Sequence, residues 1–185
     1  MIRELLHEAE LRMRGAITSL ETDLGGFRTG RASPHLVDKL QVEMYGVEMA
    51  LQQMAVISIP EPQQIAIRPY DAKALSAIER SILKSDLGLM PNNDGQVIRL
   101  NLPRLTEERR RDLNRLVGKR VEEAKVAVRN VRRDALNDLR EFEREKLITE
   151  DELHRGMDDL QELTDKYTKQ IEEIGRDKEA EIMEV

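Results

Sequence analysis

Three stretches of the chain repeat apolar residues at helical spacing, and between two of them lies a stretch that alternates. Ile2, Leu5, Leu6, Ala9, Met13, Ala16, Ile17, Leu20 and Leu24 recur at three- and four-residue steps, which predicts an amphipathic helix over about 2–24. Gly25-Gly26 follows as its stop signal. A second stripe runs Leu113, Val117, Val121, Ala124, Val128, Val131, Ala135, Leu139, Phe142. Thr106 is placed to cap that helix, and Glu107 and Glu108 in its first turn suit the helix dipole. At 1.5 Å per residue, a helix of about 40 residues is about 60 Å long. The third stripe is Leu153, Met157, Leu160, Leu163, Tyr167, Ile171 and Ile174, announced by a Thr149-x-x-Glu152 capping box.

Residues 31–103 read differently. Leu36, Asp38, Leu40, Val42 and Met44 lie on one parity and Val37, Lys39, Gln41 and Glu43 on the other, which, apart from Asp38, predicts a half-buried strand over 36–44. Tyr45-Gly46 follows as a turn. Met54 to Ile59 is short, apolar and β-branched, with Pro60-Glu61-Pro62 to end it. Ile65 and Ile67 alternate with Ala66 and Arg68, and Asp71 can cap a short helix that buries Leu75, Ile78 and Ile82. Asn92-Asn93-Asp94-Gly95 is a strong turn signal before the alternating run Ile98, Leu100, Leu102. All six prolines of the chain fall in this region.

Three amphipathic helices need one another to cover their stripes, so the expected class is α+β. It comprises an elongated three-helix bundle built from residues 1–29 and 106–185, and a small β/α domain inserted at 31–103. The chain crosses between the two at Thr29-Gly30-Arg31 and Pro103-Arg104-Leu105. Two short links carrying a glycine and a proline are expected to act as a hinge.

Composition fits a thin helical rod. Of 185 residues, 36% are charged and only 3% aromatic, since narrow bundles expose much surface and bury mainly Leu, Val, Ile and Ala. The formal charge is −6, which taken alone argues against a nucleic-acid partner, but the charge is segregated. Residues 104–133 carry net +6, residues 134–185 carry −10 and residues 1–103 carry −2. Nine of the eleven bases in the positive band are Arg, whose fork matches phosphate geometry. Lys125, Arg129, Arg132 and Arg133 share one face, offset from the apolar stripe. One reading is a surface for the backbone of a nucleic acid. The other is a solvated flank laced with pairs such as Glu122–Lys125. Against the second stands the lack of acids over 126–133. Arg28 and Arg31, around the first link, form a second basic site that serves equally as a solubilised turn.

Other chemistry is missing. The chain has no Cys and its three histidines, His7, His35 and His154, are scattered. This excludes disulfides and Cys-ligated zinc, and leaves no metal-ligand spacing. Glu150-Asp151-Glu152 is explained by a helix N-terminus. No phosphate loop, dinucleotide fingerprint or nucleophile elbow occurs, so neither an enzyme nor a cofactor is expected. No run of 18 apolar residues exists to span a membrane. Acids near the N-terminus do not fit a signal or transit peptide.

Specific strings then add what physics does not. Arg28-Thr29-Gly30-Arg31-Ala32-Ser33-Pro34, Ser85-Asp86-Leu87-Gly88-Leu89 and Leu105-Thr106-Glu107-Glu108-Arg109-Arg110 resemble the ribosome recycling factor family. So do Lys125-Val126-Ala127-Val128-Arg129-Asn130-Val131-Arg132-Arg133-Asp134-Ala135 and Lys178-Glu179-Ala180-Glu181-Ile182-Met183. The resemblance spans essentially the whole chain. Met44, Ala50 and Glu162 depart from the family's usual Tyr, Pro and Lys. The resemblance implies an L-shaped two-domain fold. It implies a cytoplasmic, monomeric protein that binds the post-termination ribosome on large-subunit RNA at the subunit interface. With elongation factor G and GTP, it would split the subunits and release them from mRNA. Lys125, Arg129, Arg132 and Arg133, with Arg110, Arg28 and Arg31, are then the expected RNA contacts. A coiled-coil adaptor or holdase chaperone without RNA affinity is the alternative, and a DNA-binding bundle a weaker one, for lack of helix-turn-helix spacing.

Overall fold

The computed structural model describes residues 1–184. They form two compact units, one of residues 1–27 and 108–183, the other centred on residues 28–107.

The first unit consists of three helices: α1 (Ile2–Gly25), α4 (Glu107–Arg144) and α5 (Glu150–Met183). At 38 residues, α4 is about 57 Å long. Cross-helix pairs fix their directions. Leu139 of α4 lies against Gly156 of α5, and Val121 against Gly175, so α4 and α5 run in opposite directions. Glu10 of α1 meets Lys166 and Tyr167 of α5, and Ile2 meets Gly156, so α1 and α5 are parallel. The turn between α4 and α5 is held by the capping box. Glu152 Oε2 accepts from the Thr149 amide at 2.8 Å, and the Glu152 amide donates to Thr149 Oγ1 at 3.3 Å. The Thr149 amide lowers the Glu152 pKa.

The apolar stripes face the core, although Leu153, Met157, Leu163 and Ile174 of the third are only half-buried. Ala9, Met13, Ile17, Leu20 and Leu24 of α1 are buried, with Leu113, Val117, Ala124, Val128, Val131, Ala135 and Leu139 of α4. On α5 the seam is Gly156, Leu160, Thr164, Tyr167, Ile171 and Gly175, continued at Ile182. Ile182 lies beyond the end of the expected stripe, and Gly156, Thr164 and Gly175 are absent from it because hydrophobic periodicity marks large apolar residues. The closest helix approach instead requires small ones. A Cβ on Gly175 would sit 2.6 Å from Val121 Cγ2, and one on Gly156 3.2 Å from Leu139 Cδ2. Thr164 hides its hydroxyl on the Leu160 carbonyl at 2.7 Å.

The second unit has one core between a four-stranded antiparallel sheet, a hairpin and a helix. The elements are β1 (Gln41–Met44), β2 (Val47–Ala50), the single-turn α2 (Leu51–Met54), β3 (Ala55–Glu61), β4 (Gln64–Pro69), α3 (Leu75–Lys84), β5 (Pro91–Asn93) and β6 (Ile98–Asn101). The sheet order is β3-β4-β6-β5, with β1-β2 pairing separately. Val37, Val42, Leu51, Ile65, Ile67, Ile78, Ile98 and Leu100 are fully buried in the common core. Tyr45 and Gly46, both at positive φ (55° and 76°), make the two-residue hairpin turn between β1 and β2.

Several local expectations are corrected. The strand expected over 36–44 begins only at Gln41. Residues Pro34–Leu36 form a 3₁₀ turn because Ser33 Oγ accepts the His35 amide and Pro34 supplies a fixed φ at its start. Val37, placed on the polar parity, is consequently fully buried. Strand β3 continues through Pro60 to Glu61, which the sheet tolerates because β3 is an edge strand. Asp71 caps a 3₁₀ turn, Ala72–Ala74, that leads into α3. Gly26 ends α1 in right-handed backbone (φ −75°), so the left-handed glycine here is Gly30, at φ 77°. The 92–95 turn is closed by Asp94, which accepts from the amides of Val97 and Gln96 and pairs with Arg99. These donors hold its pKa down at about 2.

Gly175→Ala should lower the stability of the bundle by about 1–3 kcal/mol in denaturant unfolding, despite alanine's better helix propensity, because the added methyl overlaps Val121. In a Val121→Ala background the same change should become neutral or stabilising.

Candidate nucleic-acid interface

The basic band begins at the first turns of α4 and follows its flank. Lys125, Arg129, Arg132 and Arg133 fall within about 100° of one another at 100° per residue. They lie beside the buried row Ala124, Val128, Val131. The packing that buries this row therefore also aims the four cations away from the core.

Their pairing differs. Lys125 Nζ is bound to Glu172 of α5 at 2.7 Å, its side chain only 22% exposed. Arg129 reaches back two turns to Glu122 at 2.6 Å. Each pair lowers the pKa of its carboxylate, chiefly through the hydrogen bond from the cation. Further up the helix, Arg120 is shared between Glu123 (2.8 Å) and Asp23 (4.0 Å), and Arg115 lies 3.7 Å from Asp112. Arg132 and Arg133 differ from these pairs. Neither guanidinium makes an ion pair or hydrogen bond among the described residues. Their nearest acid in sequence, Asp134, is taken by Arg12 of α1 at 2.8 Å. Arg133 is exposed and Arg132 half-buried. The arrangement leaves two adjacent unneutralised Arg forks on a rigid helix, able to bind phosphate oxygens without first breaking an ion pair.

The other sequence-derived candidates sit elsewhere. Arg110 is 22 residues up α4, about 33 Å from Arg132. It is half-buried, donates to the Met183 carbonyl at 3.3 Å, and holds its Nε in a buried position without a protein partner. Its geometry is that of a clasp on the end of α5. Arg28 and Arg31 belong to the second unit. Arg28 donates to the Asp86 carbonyl at 3.2 Å, and Arg31 is exposed with its guanidinium 3.9 Å from the Glu184 carboxylate. The structure thus brings together four of the seven candidates and leaves two of those four unpaired. The residue missed from sequence is Arg12, which frees the band by occupying Asp134. The two are 122 positions apart, so no local pattern signals that pair.

The sequence pattern of the ribosome recycling factor family matches residues 20–183. The chain belongs to that family. It is 54% identical to the ribosome-recycling factor of Chloroflexus aurantiacus and 53% identical to that of Halalkalibacterium halodurans, in both cases over 185 residues and the full length of each chain. Among solved structures, it resembles the solution structure of a ribosome recycling factor with a TM-score of 0.76 and 44% identity. That match covers 100% of this chain and 98% of the other. It also resembles, with a TM-score of 0.66 and 41% identity over 99% of both chains, the T. thermophilus ribosome recycling factor. That protein is described with E. coli elongation factor G on the E. coli post-termination complex. Family membership makes the chain a translation factor of protein biosynthesis rather than an enzyme, adaptor or holdase. No helix among the described residues is long and apolar enough to cross a membrane.

The pairing pattern separates binding from stability. Arg132→Ala and Arg133→Ala should change unfolding free energy by less than about 0.5 kcal/mol, whereas Arg110→Ala should cost about 1–2 kcal/mol. Urea titrations of the three variants would measure this.

Proposed function

We propose that this protein recycles post-termination ribosomes. It docks its bundle on large-subunit RNA at the subunit interface and, with elongation factor G and GTP, promotes splitting into subunits and release from mRNA. The observation that carries this reading is the pair of unpaired arginines, Arg132 and Arg133, on the flank of a 38-residue helix. A related recycling factor, 41% identical, is described on the post-termination complex with elongation factor G, which supports the same setting for this chain. In this reading the protein works in the cytoplasm as a monomer and carries no nucleotide site of its own. The energy comes from the elongation factor.

Docking through phosphates suits a protein of net charge −6. The band supplies the local attraction, while the acidic stretch 134–185 disfavours other orientations on an RNA surface. A helix about 57 Å long then transmits force. The two links, Thr29-Gly30-Arg31 and Pro103-Arg104-Leu105, serve as the hinge in this scheme. Each has a fixed end on the same turn of the inserted unit. The Ala32 amide donates to the Pro62 carbonyl at 2.7 Å, and the Leu102 amide to the Gln63 carbonyl at 2.8 Å. Arg104 Nε adds a bond to Gln63 Oε1 at 3.4 Å. Freedom is therefore concentrated in the few residues beyond those anchors, where Gly30 stands at φ 77°.

Arg132→Ala should weaken ribosome binding in a pelleting assay and reduce the slope of log K against log salt by about 1. Unchanged binding across the salt titration would remove that residue from the interface. Proline at Gly30 would have to abandon its positive φ, so the hinge is better tested with Gly30→Ala, which strains the left-handed position. Light scattering with elongation factor G and GTP should show slower subunit splitting at undiminished ribosome binding. Normal splitting would rule the hinge out.

A further inference from the structure

The inserted unit carries a second cationic feature, unrelated to the bundle's band. Residues 28–107 hold nine Lys or Arg and nine Asp or Glu, so the unit is neutral overall. Three of its bases nevertheless converge on one groove of about 330 Å³, between the tip of the β1-β2 hairpin and α3. Lys73, Arg80 and Lys84 line it from the helical side, with the Ser81 hydroxyl among them. On α3, Arg80 and Lys84 lie within about 40° of one another, roughly opposite the buried row Leu75, Ile78, Ile82, and Lys73 comes from the 3₁₀ turn that leads into the helix. None of their side chains makes an ion pair or hydrogen bond among the described residues. Glu43 is the one carboxylate of the lining.

The opposite wall ends in Tyr45. This residue is 80% exposed and sits at φ 55° in the hairpin turn. Turns of this type favour Asn, Asp or Gly at that place, and a bulky side chain there is a marked exception. The turn thus holds a largely exposed Tyr45 side chain at the rim of a cationic groove. A flat π-face beside three clustered cations matches one polymer in particular. Single-stranded nucleic acid alternates bases, which stack on aromatic rings, with phosphates, which need Lys and Arg. An acidic peptide would use the cations but gain nothing from the ring. Strained, exposed backbone positions of this sort concentrate at ligand sites.

We propose that this groove binds single-stranded RNA, with a base stacked on Tyr45 and flanking phosphates held by Lys73, Arg80 and Lys84. The volume lies at the lower end of the roughly 300–1,000 Å³ of small-ligand sites, enough for one nucleotide and its phosphates, with the strand continuing along α3.

The test uses the full chain carrying Arg132→Ala and Arg133→Ala, so that the bundle's cations do not dominate. Amide resonances are followed by NMR while an oligouridylate of about eight nucleotides is added. Shifts should concentrate in 43–46 and 73–84, and log K should fall with log salt at a slope of about −2, as three phosphate contacts on a single strand require. Tyr45→Ala should weaken binding about ten-fold, and the Arg80→Ala, Lys84→Ala double variant at least as much. Both should keep the parent's melting temperature, since the changed side chains lie outside the core. No shifts in the two segments would overturn the proposal. So would inorganic phosphate binding as tightly as the oligonucleotide, which marks a free-anion site. An oligoglutamate binding equally well without dependence on Tyr45 would assign the groove to an acidic peptide and overturn it too. Because the assay contains no ribosomes, its result is independent of the recycling assays.

Discussion

The close approach of α4 and α5 at Gly175 and Gly156 is the contact on which the rest of the bundle depends. With no side chain at Gly175, the Val121 methyls rest on the α5 backbone; with none at Gly156, Leu139 and Ile2 do the same one end further along. Two contacts this tight, nineteen residues apart on α5, fix both the separation and the rotation of α4. Rotation matters because the buried row and the cationic row are side by side on that helix. A small turn about its axis would exchange exposed arginines for half-buried ones. Packing of uncharged residues thus decides how the charge is displayed.

Charge display is further edited by ion pairing, both within α4 and between helices. The bundle uses its acids selectively: Glu172 takes Lys125, Glu122 takes Arg129, and Asp134 is taken from the other side by Arg12. Exposed pairs of this kind contribute little to stability. Their consequence lies in what they leave over, which is two adjacent arginines without a counter-charge. In a family whose members act on an RNA machine, a cation already free of protein partners binds phosphate without the loss of an existing ion pair.

The inserted unit follows a different logic. Its sheet, hairpin and α3 share a core of Val, Leu, Ile, Met and Ala. Its edge strands carry Pro60 and Pro91, which blunts edge-to-edge pairing. Both chain crossings are tied to the Pro62-Gln63 turn, so the unit has one attachment point rather than two. Its exposed features, Tyr45 and the cations of α3 and its lead-in turn, are therefore carried on a compact unit with a single root.

Much of this was legible in the chain itself. The three apolar stripes, the capping box at Thr149 and Glu152, the Tyr45-Gly46 and Asn92–Gly95 turns and the segregated charge are all local patterns. Local patterns survive because helix periodicity, capping and turn conformation depend on neighbours in sequence. The strand start was misplaced because Ser33 and Pro34 favour a 3₁₀ turn that parity does not see. The glycine and threonine seam of α5 was invisible because smallness carries no hydrophobic signal. Which arginines stay unpaired, and that a hairpin tip meets the cations of α3, was decided only by tertiary structure. Those outcomes join Lys125 to a residue 47 positions away and Arg12 to one 122 positions away. Coulomb and hydrogen-bond contacts act over a few ångströms of space, so nothing along the chain encodes them until the helices pack.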